Sequence, residues 1–318
     1  MGNKFSKKRP FFIRRRRDDS DISNTEITEI DYVDTIWDAN FSWLEGRRVS
    51  DEFYLIERYC AEADRLAYWM HIIFKYILRG NSRIPLNSNM KKCLHIGTGH
   101  YIWLIEMAED HDGIQFDGFD LTFSSESEEL TTPLPQNARF VRGSIFEGGL
   151  PYPDNYFDYV NVRSLLTWLP DDKISYVIDE VRRVTKRGCF VEILELDLFI
   201  KNGTPYYEDN LGKIWKDICS FKGYDPSRII NMDKFFDSSH FASVNLSKLS
   251  IPIGKYGGKV GELHAEQFVN GTNAVAAIIK DKLNMSYEEI QIYLQDIVKE
   301  LNLNQAYSNS YLICAQKN

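Results

Sequence analysis

The residue types and spacings best suited to chemistry lie in Cys93-Leu-His-Ile-Gly-Thr-Gly-His-Tyr-Ile-Trp103, an apolar run that reaches glycine at 97 and 99 and continues as IWLIEMAED. The pattern is a buried strand, a glycine turn and a helix. Without a Cβ, Gly97 and Gly99 let the backbone approach a ligand closely. Asp120 ends a second apolar run 23 residues beyond Gly97, where a carboxylate can accept both hydroxyls of a ribose. Ligands of open α/β sheets bind at the carboxyl ends of the strands, so the two features converge on one crevice suited to an adenosyl cofactor. A third run ends Val141-Arg-Gly-Ser-Ile145, which brings a polar side chain and adjacent backbone toward an adenine edge, and a fourth, LPYPDNYFDYVNV, leads into Arg163.

These residues need a frame. The runs KCLHIG, IQFDGFD, ARFVRG, FDYVNV and CFVEILEL are short and rich in β-formers, with helical segments after the first and fourth and a loop-rich stretch after the second. Such alternation implies a doubly wound α/β fold with a mostly parallel sheet wrapped by helices. Before it, apolar residues from Leu55 to Ile77 recur at helical spacing, and Gly80, Asn81 and Pro85 close the run. Beyond Asp197 the spacing predicts helices over 207–221, 227–236 and 286–301, a strand over 244–253 and a last strand YLICAQ. The two late strands complete a seven-stranded sheet.

The chain has 318 residues, of which 43% are apolar and 14% aromatic, ample for one large core. Residues 1–50 are basic, then acidic (DDSDISNTEITEID), and too poor in apolar surface to offset chain entropy, so they read as a disordered tail before a domain over 51–318. Residues 1–17 hold eight Lys or Arg and no acid, leaving 30 basic against 46 acidic residues in the remainder. A surface that acidic disfavours a nucleic-acid partner. The five cysteines are scattered without ligand spacing, which suggests neither a disulfide framework nor a metal site and fits a reducing compartment, cytoplasmic or alternatively nuclear.

Taken in order, LHIGTG, FDGFD, ARFVRGS, LPYPDNYFDYV, RRVTKRG and VEILELD resemble the class I S-adenosylmethionine-dependent methyltransferases. Among these the chain is most similar to fungal methyltransferase-domain proteins related to secondary-metabolism regulators, from EGRRVSDE through IPIGKYGGKVGEL, over roughly residues 43–317. The resemblance implies S-adenosylmethionine as cofactor, with His95, Gly97, Thr98 and Gly99 at its methionyl part, Asp120 at the ribose, Leu121, Ser144 and Ile145 at the adenine, and Arg163 on the floor of the site. Methyl transfer from a sulfonium needs no protein nucleophile, so no catalytic residue is assigned. His240 and His264 are candidate bases for an acceptor, a small molecule or a protein, although structural roles suit both better.

The chain departs from the family pattern at three places: His95 replaces an acid that would orient the methionyl amine, Tyr101 replaces a glycine, and Arg187-Gly188-Cys189 replaces Pro-Gly-Gly. On sequence alone, the double change His95→Asp with Tyr101→Gly should tighten cofactor binding, and a degenerate, cofactor-binding regulatory protein is the alternative function. A nicotinamide-dependent oxidoreductase is third, because its turn would want a small residue at Ile102. Finally, Met1-Gly2-Asn3-Lys4-Phe5-Ser6 fits the myristoylation pattern on Gly2. One acyl chain with Lys7, Lys8, Arg9 and Arg14–Arg17 would give a reversible peripheral membrane contact.

Overall fold

The structure, a computed structural model, describes residues 41–44, 47–50, 61–99, 101–121, 134–221 and 225–318. Gly2 and the basic run lie outside the described residues. Where composition implies an unstructured tail up to residue 50, β1 (Phe41–Leu44) and β2 (Arg47–Ser50) pair as an antiparallel hairpin.

The main sheet has seven strands: β3 (Lys92–Ile96), β4 (Gln115–Asp120), β5 (Ala138–Arg142), β6 (Phe157–Arg163), β7 (Thr185–Leu196), β8 (Phe241–Pro252) and β9 (Tyr307–Lys317), in the order β5-β4-β3-β6-β7-β9-β8. The first five run parallel, and β9 is antiparallel to both β7 and β8. The chain order reverses between β3 and β6. That switch point opens a crevice at the carboxyl ends of β3, β4 and β6, where Gly97, Asp120 and Arg163 stand.

Every residue of β6 is buried, as expected for a strand covered on both faces. Leu94, Ile96, Val160 and Val162 pack on one face with Val177, Ile178 and Val181 of α3 (Asp171–Val184), whereas Cys93 and Tyr159 meet Trp103, Leu104 and Met107 of α2 (Ile102–Asp110) on the other. Helix α1 (Ala61–Leu78) sets Ile73, Phe74 and Leu78 against Leu194, Ile251 and Leu312. Its predicted forerunner, 54–60, lies outside the described residues.

The predicted helix over 207–221 is α4 (Pro205–Tyr207) and α5 (Lys213–Phe221) joined by one wide π turn, Glu208–Gly212. The segment over 227–236 is not α-helical but 3₁₀, Pro226–Phe235, broken at Asn231 by a φ of −123°. Two helices form where the apolar spacing announces none: α6 (Gly258–Ala274) and α7 (Ala276–Leu283). Then α8 (Tyr287–Leu303) starts at a capping box, in which Ser286 Oγ accepts from the Glu289 N–H at 3.2 Å and the Glu289 carboxylate accepts from the Ser286 N–H at 2.7 Å.

Candidate functional site

At the end of β3 the Gly97 N–H donates to Phe119 O on β4 at 2.8 Å, which carries the sheet into the turn. Gly97 and Gly99 both have left-handed backbone, φ +72° and +49°. A Cβ on Gly97 would also touch Leu165 at 3.4 Å, whereas one on Gly99 would meet nothing within 4 Å. Glycine at 99 thus leaves open space beside exposed backbone. The Gly99 N–H donates to Asp120 Oδ2 at 2.9 Å, so the turn and the carboxylate that the sequence brings to one crevice are in direct contact. A glycine in β4 makes this possible: a Cβ on Gly118 would lie 2.7 Å from the Thr98 methyl and 2.8 Å from Leu104.

Two acids in β7 position the walls. Three residues apart in a strand, Glu192 and Glu195 point to opposite faces. Glu192 Oε2 accepts from Ser82 Oγ and from the N–H groups of Arg83 and Ile84 at 3.1, 2.9 and 3.0 Å, which pins the connection from α1 to β3. Glu195 accepts from the N–H groups of Leu165 and Leu166, each at 2.9 Å, and from Thr167 Oγ1 at 2.8 Å, which fixes the loop after β6 against the glycine turn. Both acids are fully buried. Both stand in the run VEILELD, where two carboxylates inside an apolar strand are themselves a signal.

Between these walls lies a cavity of about 400 Å³. Six of the residues singled out in the sequence line it: His95, Gly97, Thr98, Gly99, Asp120 and Arg163. Leu121, Ser144 and Ile145 are not among its lining residues. Leu121 follows Asp120 directly and its carbonyl accepts from Arg142 Nε at 3.3 Å; Ser144 Oγ accepts from the Phe146 N–H at 3.3 Å; Ile145 is buried in the core beside Phe119.

The far side of the cavity comes from elements that no sequence motif marks. Leu66 and Met70 of α1, Trp168, Trp215 of α5 and Phe268 of α6 give it an apolar, aromatic wall, and Gln267 and Thr272 add polar groups. Of the two candidate bases, His240 is exposed in the turn before β8 and does not line the cavity. His264 does, but its Nδ1 is bonded to Pro252 O at 3.1 Å and burial pushes its pKa down to about 4.

Tyr101, which stands where a glycine is expected, is not a plug. Its ring is buried edge-on against Phe140 at 5.3 Å and is not part of the cavity lining. His95 does face the cavity, and its ring lies 4.5 Å from Trp103. Complete burial, aided by the Arg163 charge, holds its pKa well below the usual histidine value, so the ring is neutral. Neither His95 nitrogen, nor Thr98 Oγ1, nor Arg163 Nε and Nη1 has a hydrogen-bond partner among the described residues.

The profile of the methyltransferase-domain family matches residues 94–193, the span from β3 to β7. Methyltransferase str3 of Strobilurus tenacellus is 35% identical over 198 residues, which cover 61% of this chain and 68% of that protein. The chain belongs to the class I S-adenosylmethionine-dependent methyltransferases. Methyltransferase pytC of Aspergillus terreus is 22% identical over 273 residues, covering 80% of this chain and 81% of that one. Among solved structures, the YcgJ protein of Bacillus subtilis is similar at 15% identity with a TM-score of 0.47, over 78% of this chain and 98% of that one. Phosphoethanolamine N-methyltransferase 2 of Haemonchus contortus aligns at 16% identity and a TM-score of 0.42, over 82% of this chain and 60% of that one.

The lining residues of this methyltransferase fit its cofactor: glycine backbone with open space beside it, a carboxylate at a strand end for the ribose, and several buried polar atoms left without protein partners, as a polar ligand requires.

Three histidines also set the pH response of the fold. Burial lowers the pKa of His71, His95 and His264, that of His264 to about 4, so below about pH 6.5 the unfolded chain binds protons that the native state refuses. Stability therefore falls as the pH drops below about 6.5, by up to about 1.4 kcal/mol per pH unit for each histidine. Melting temperatures measured from pH 7.5 to 5 should fall, and His264→Gln should flatten the slope. A melting temperature constant across that range contradicts the assignment.

Proposed function

We propose that this methyltransferase holds S-adenosylmethionine between the glycine turn and Asp120 and transfers its methyl group to a small, flat, largely apolar molecule bearing an acidic hydroxyl. The observation that carries this reading is the aromatic continuation of the cavity. Trp168, Trp215 and Phe268 stand on three different elements and face the space beyond Gly99 and Thr98, which suits a planar ring and excludes water. A walled space of about 400 Å³ suits a small molecule better than a folded protein surface or a nucleic-acid strand.

When bound, S-adenosylmethionine supplies a methyl group already activated on a sulfonium. The task left to the chain is to orient the acceptor and keep the site dry. Of the described histidines lining the cavity, His264 is bonded to a carbonyl and His95 sits beside a guanidinium, while His71 is bonded through Nε2 to Glu106 at 3.0 Å and burial lowers its pKa, which makes it a weak base. Asp197 is committed too, to Lys201 at 2.9 Å and to the Phe199 N–H. Weak bases of this kind suit an acceptor that arrives ionised, an acidic phenol or enol. With labelled S-adenosylmethionine and phenols of graded acidity at fixed pH, methylation should rise as the phenol pKa falls toward the working pH. Transfer confined to protein substrates, or rates indifferent to phenol acidity, would overturn the reading.

The N-terminal pattern supports a further proposal, peripheral membrane attachment of a cytoplasmic protein through myristoylated Gly2 and its basic run. In cells, Gly2→Ala should shift the full-length protein from membrane to cytosol; an unchanged partition counts against it.

A further inference from the structure

Arg163 is costlier to the fold than its internal bonds justify. The residue is 8% exposed, yet among the described residues only its Nη2 has a hydrogen-bond acceptor, the Asn81 carbonyl. The neighbouring acid, Glu192, forms a 3.7 Å ion pair with Nη2 through Oε1, too long for a hydrogen bond, while its Oε2 accepts three bonds from the 82–84 connection, so the charge is countered but the Nε and Nη1 donors are not. Arg163 Nε and Nη1 are left as buried donors at the cavity wall. Unmatched donors on a buried cation are strongly unfavourable unless an acceptor, best of all an anion, completes them.

His95 lies beside this guanidinium, on the neighbouring strand β3. Its ring packs on Trp103, which also lies under the Arg163 guanidinium, 5.4 Å from the ring centre. Both imidazole nitrogens are without partners and both residues line the same end of the cavity as Gly97 and Thr98. These four residues therefore offer unsatisfied guanidinium donors and an imidazole with a free lone pair, and no carboxylate.

The methionyl end of the cofactor carries a carboxylate and an ammonium, and a site with an acid at position 95 would seize the ammonium. We infer that this protein holds that end by its carboxylate: Arg163 donates to the carboxylate from its unpartnered guanidinium edge at Nη1, and the His95 ring accepts from the ammonium. The inference rests on the cofactor reading above. It also reverses the consequence that the sequence alone suggests for His95→Asp, because a carboxylate at 95 would occupy the Arg163 fork and close it to the ligand.

The test compares three ligands by calorimetry on the full-length protein: S-adenosylhomocysteine, its decarboxylated analogue, and 5′-methylthioadenosine, which has the nucleoside without the amino acid. Wild type should prefer S-adenosylhomocysteine to the other two by at least tenfold. Arg163→Gln should remove most of that preference while leaving 5′-methylthioadenosine affinity within about twofold, Arg163→Lys should fall between, and His95→Asp should weaken S-adenosylhomocysteine. If Arg163→Gln weakens all three ligands equally, Arg163 is only a structural residue and the inference fails. Tighter binding by His95→Asp overturns it as well, and so does a wild type that treats S-adenosylhomocysteine and the decarboxylated analogue alike, a result that needs no variant to fold. A wild type that binds none of the three removes the cofactor reading itself.

Discussion

Asp120→Ala should lower the affinity for S-adenosylhomocysteine at least tenfold and leave a single cooperative melting transition. The carboxylate stands at the end of β4, 4% exposed, with one oxygen on the Gly99 N–H at 2.9 Å. Charge-assisted hydrogen bonds to a ribose are worth about 1.5–3 kcal/mol each, and about 1.4 kcal/mol is a factor of ten. The alanine variant also releases the turn amide, so the glycine backbone loses its fixed position. The ladder survives, because Gly143 N–H bonds the Asp120 carbonyl, not its side chain, at 2.9 Å. Asp120→Asn keeps an acceptor for Gly99 without the charge and should fall between. Unchanged affinity in a folded Asp120→Ala protein would place the ribose elsewhere.

The second large effect lies far from any motif of chemistry. A Cβ on Gly261, in the first turn of α6, would stand 2.1 Å from the carbonyl oxygen of Gly254, and the Gly254 N–H in turn donates to Gly261 O at 2.9 Å. Both partners are backbone, so no side chain can rotate away. Gly257 is equally confined, its Cβ position 2.2 Å from Pro252 Cγ. These glycines let α6 begin directly on the end of β8, and α6 carries His264, Gln267 and Phe268 to the cavity wall. Overpacking a well-packed site costs about 1–3 kcal/mol and more where nothing can move. Gly261→Ala should therefore lower the melting temperature by about 5–10 °C for a domain of this size. Gly271→Ala, in the same helix, is the control: nothing lies within 4 Å of its Cβ position, and alanine is the better helix former, so stability should hold or rise. Equal melting of the two variants would refute this view of the α6 junction.

These two positions show where sequence reading reaches and where it stops. Gly97, Gly99 and Asp120 are legible because backbone approach and ribose recognition demand those residue types at that spacing, and the strands are legible because burial on both faces forces apolar runs such as FDYVNV. Helix α6 is hidden for the opposite reason. Glycines at 254, 257, 258 and 261 look like a loop, and Asn-Gly-Thr-Asn over 270–273 like a turn, but Gly254, Gly257 and Gly261 serve close packing, a tertiary demand that no local pattern encodes. The aromatic wall is equally invisible, since Trp168, Trp215 and Phe268 meet only in three dimensions. His95 looks like a defect in the sequence because Arg163 belongs to another strand, brought near only when the sheet sets His95 opposite Asn161 on β6.

If the cavity between Gly97, Gly99 and Asp120 is the site for S-adenosylmethionine, the full-length wild-type protein must bind it without any change of sequence. Calorimetric titration decides this, with S-adenosylmethionine and S-adenosylhomocysteine as ligands and a nicotinamide dinucleotide as control. The expected result is saturable binding of both adenosyl ligands at about one per chain and no heat from the dinucleotide. Absence of heat from either adenosyl ligand up to near-millimolar concentration would contradict it.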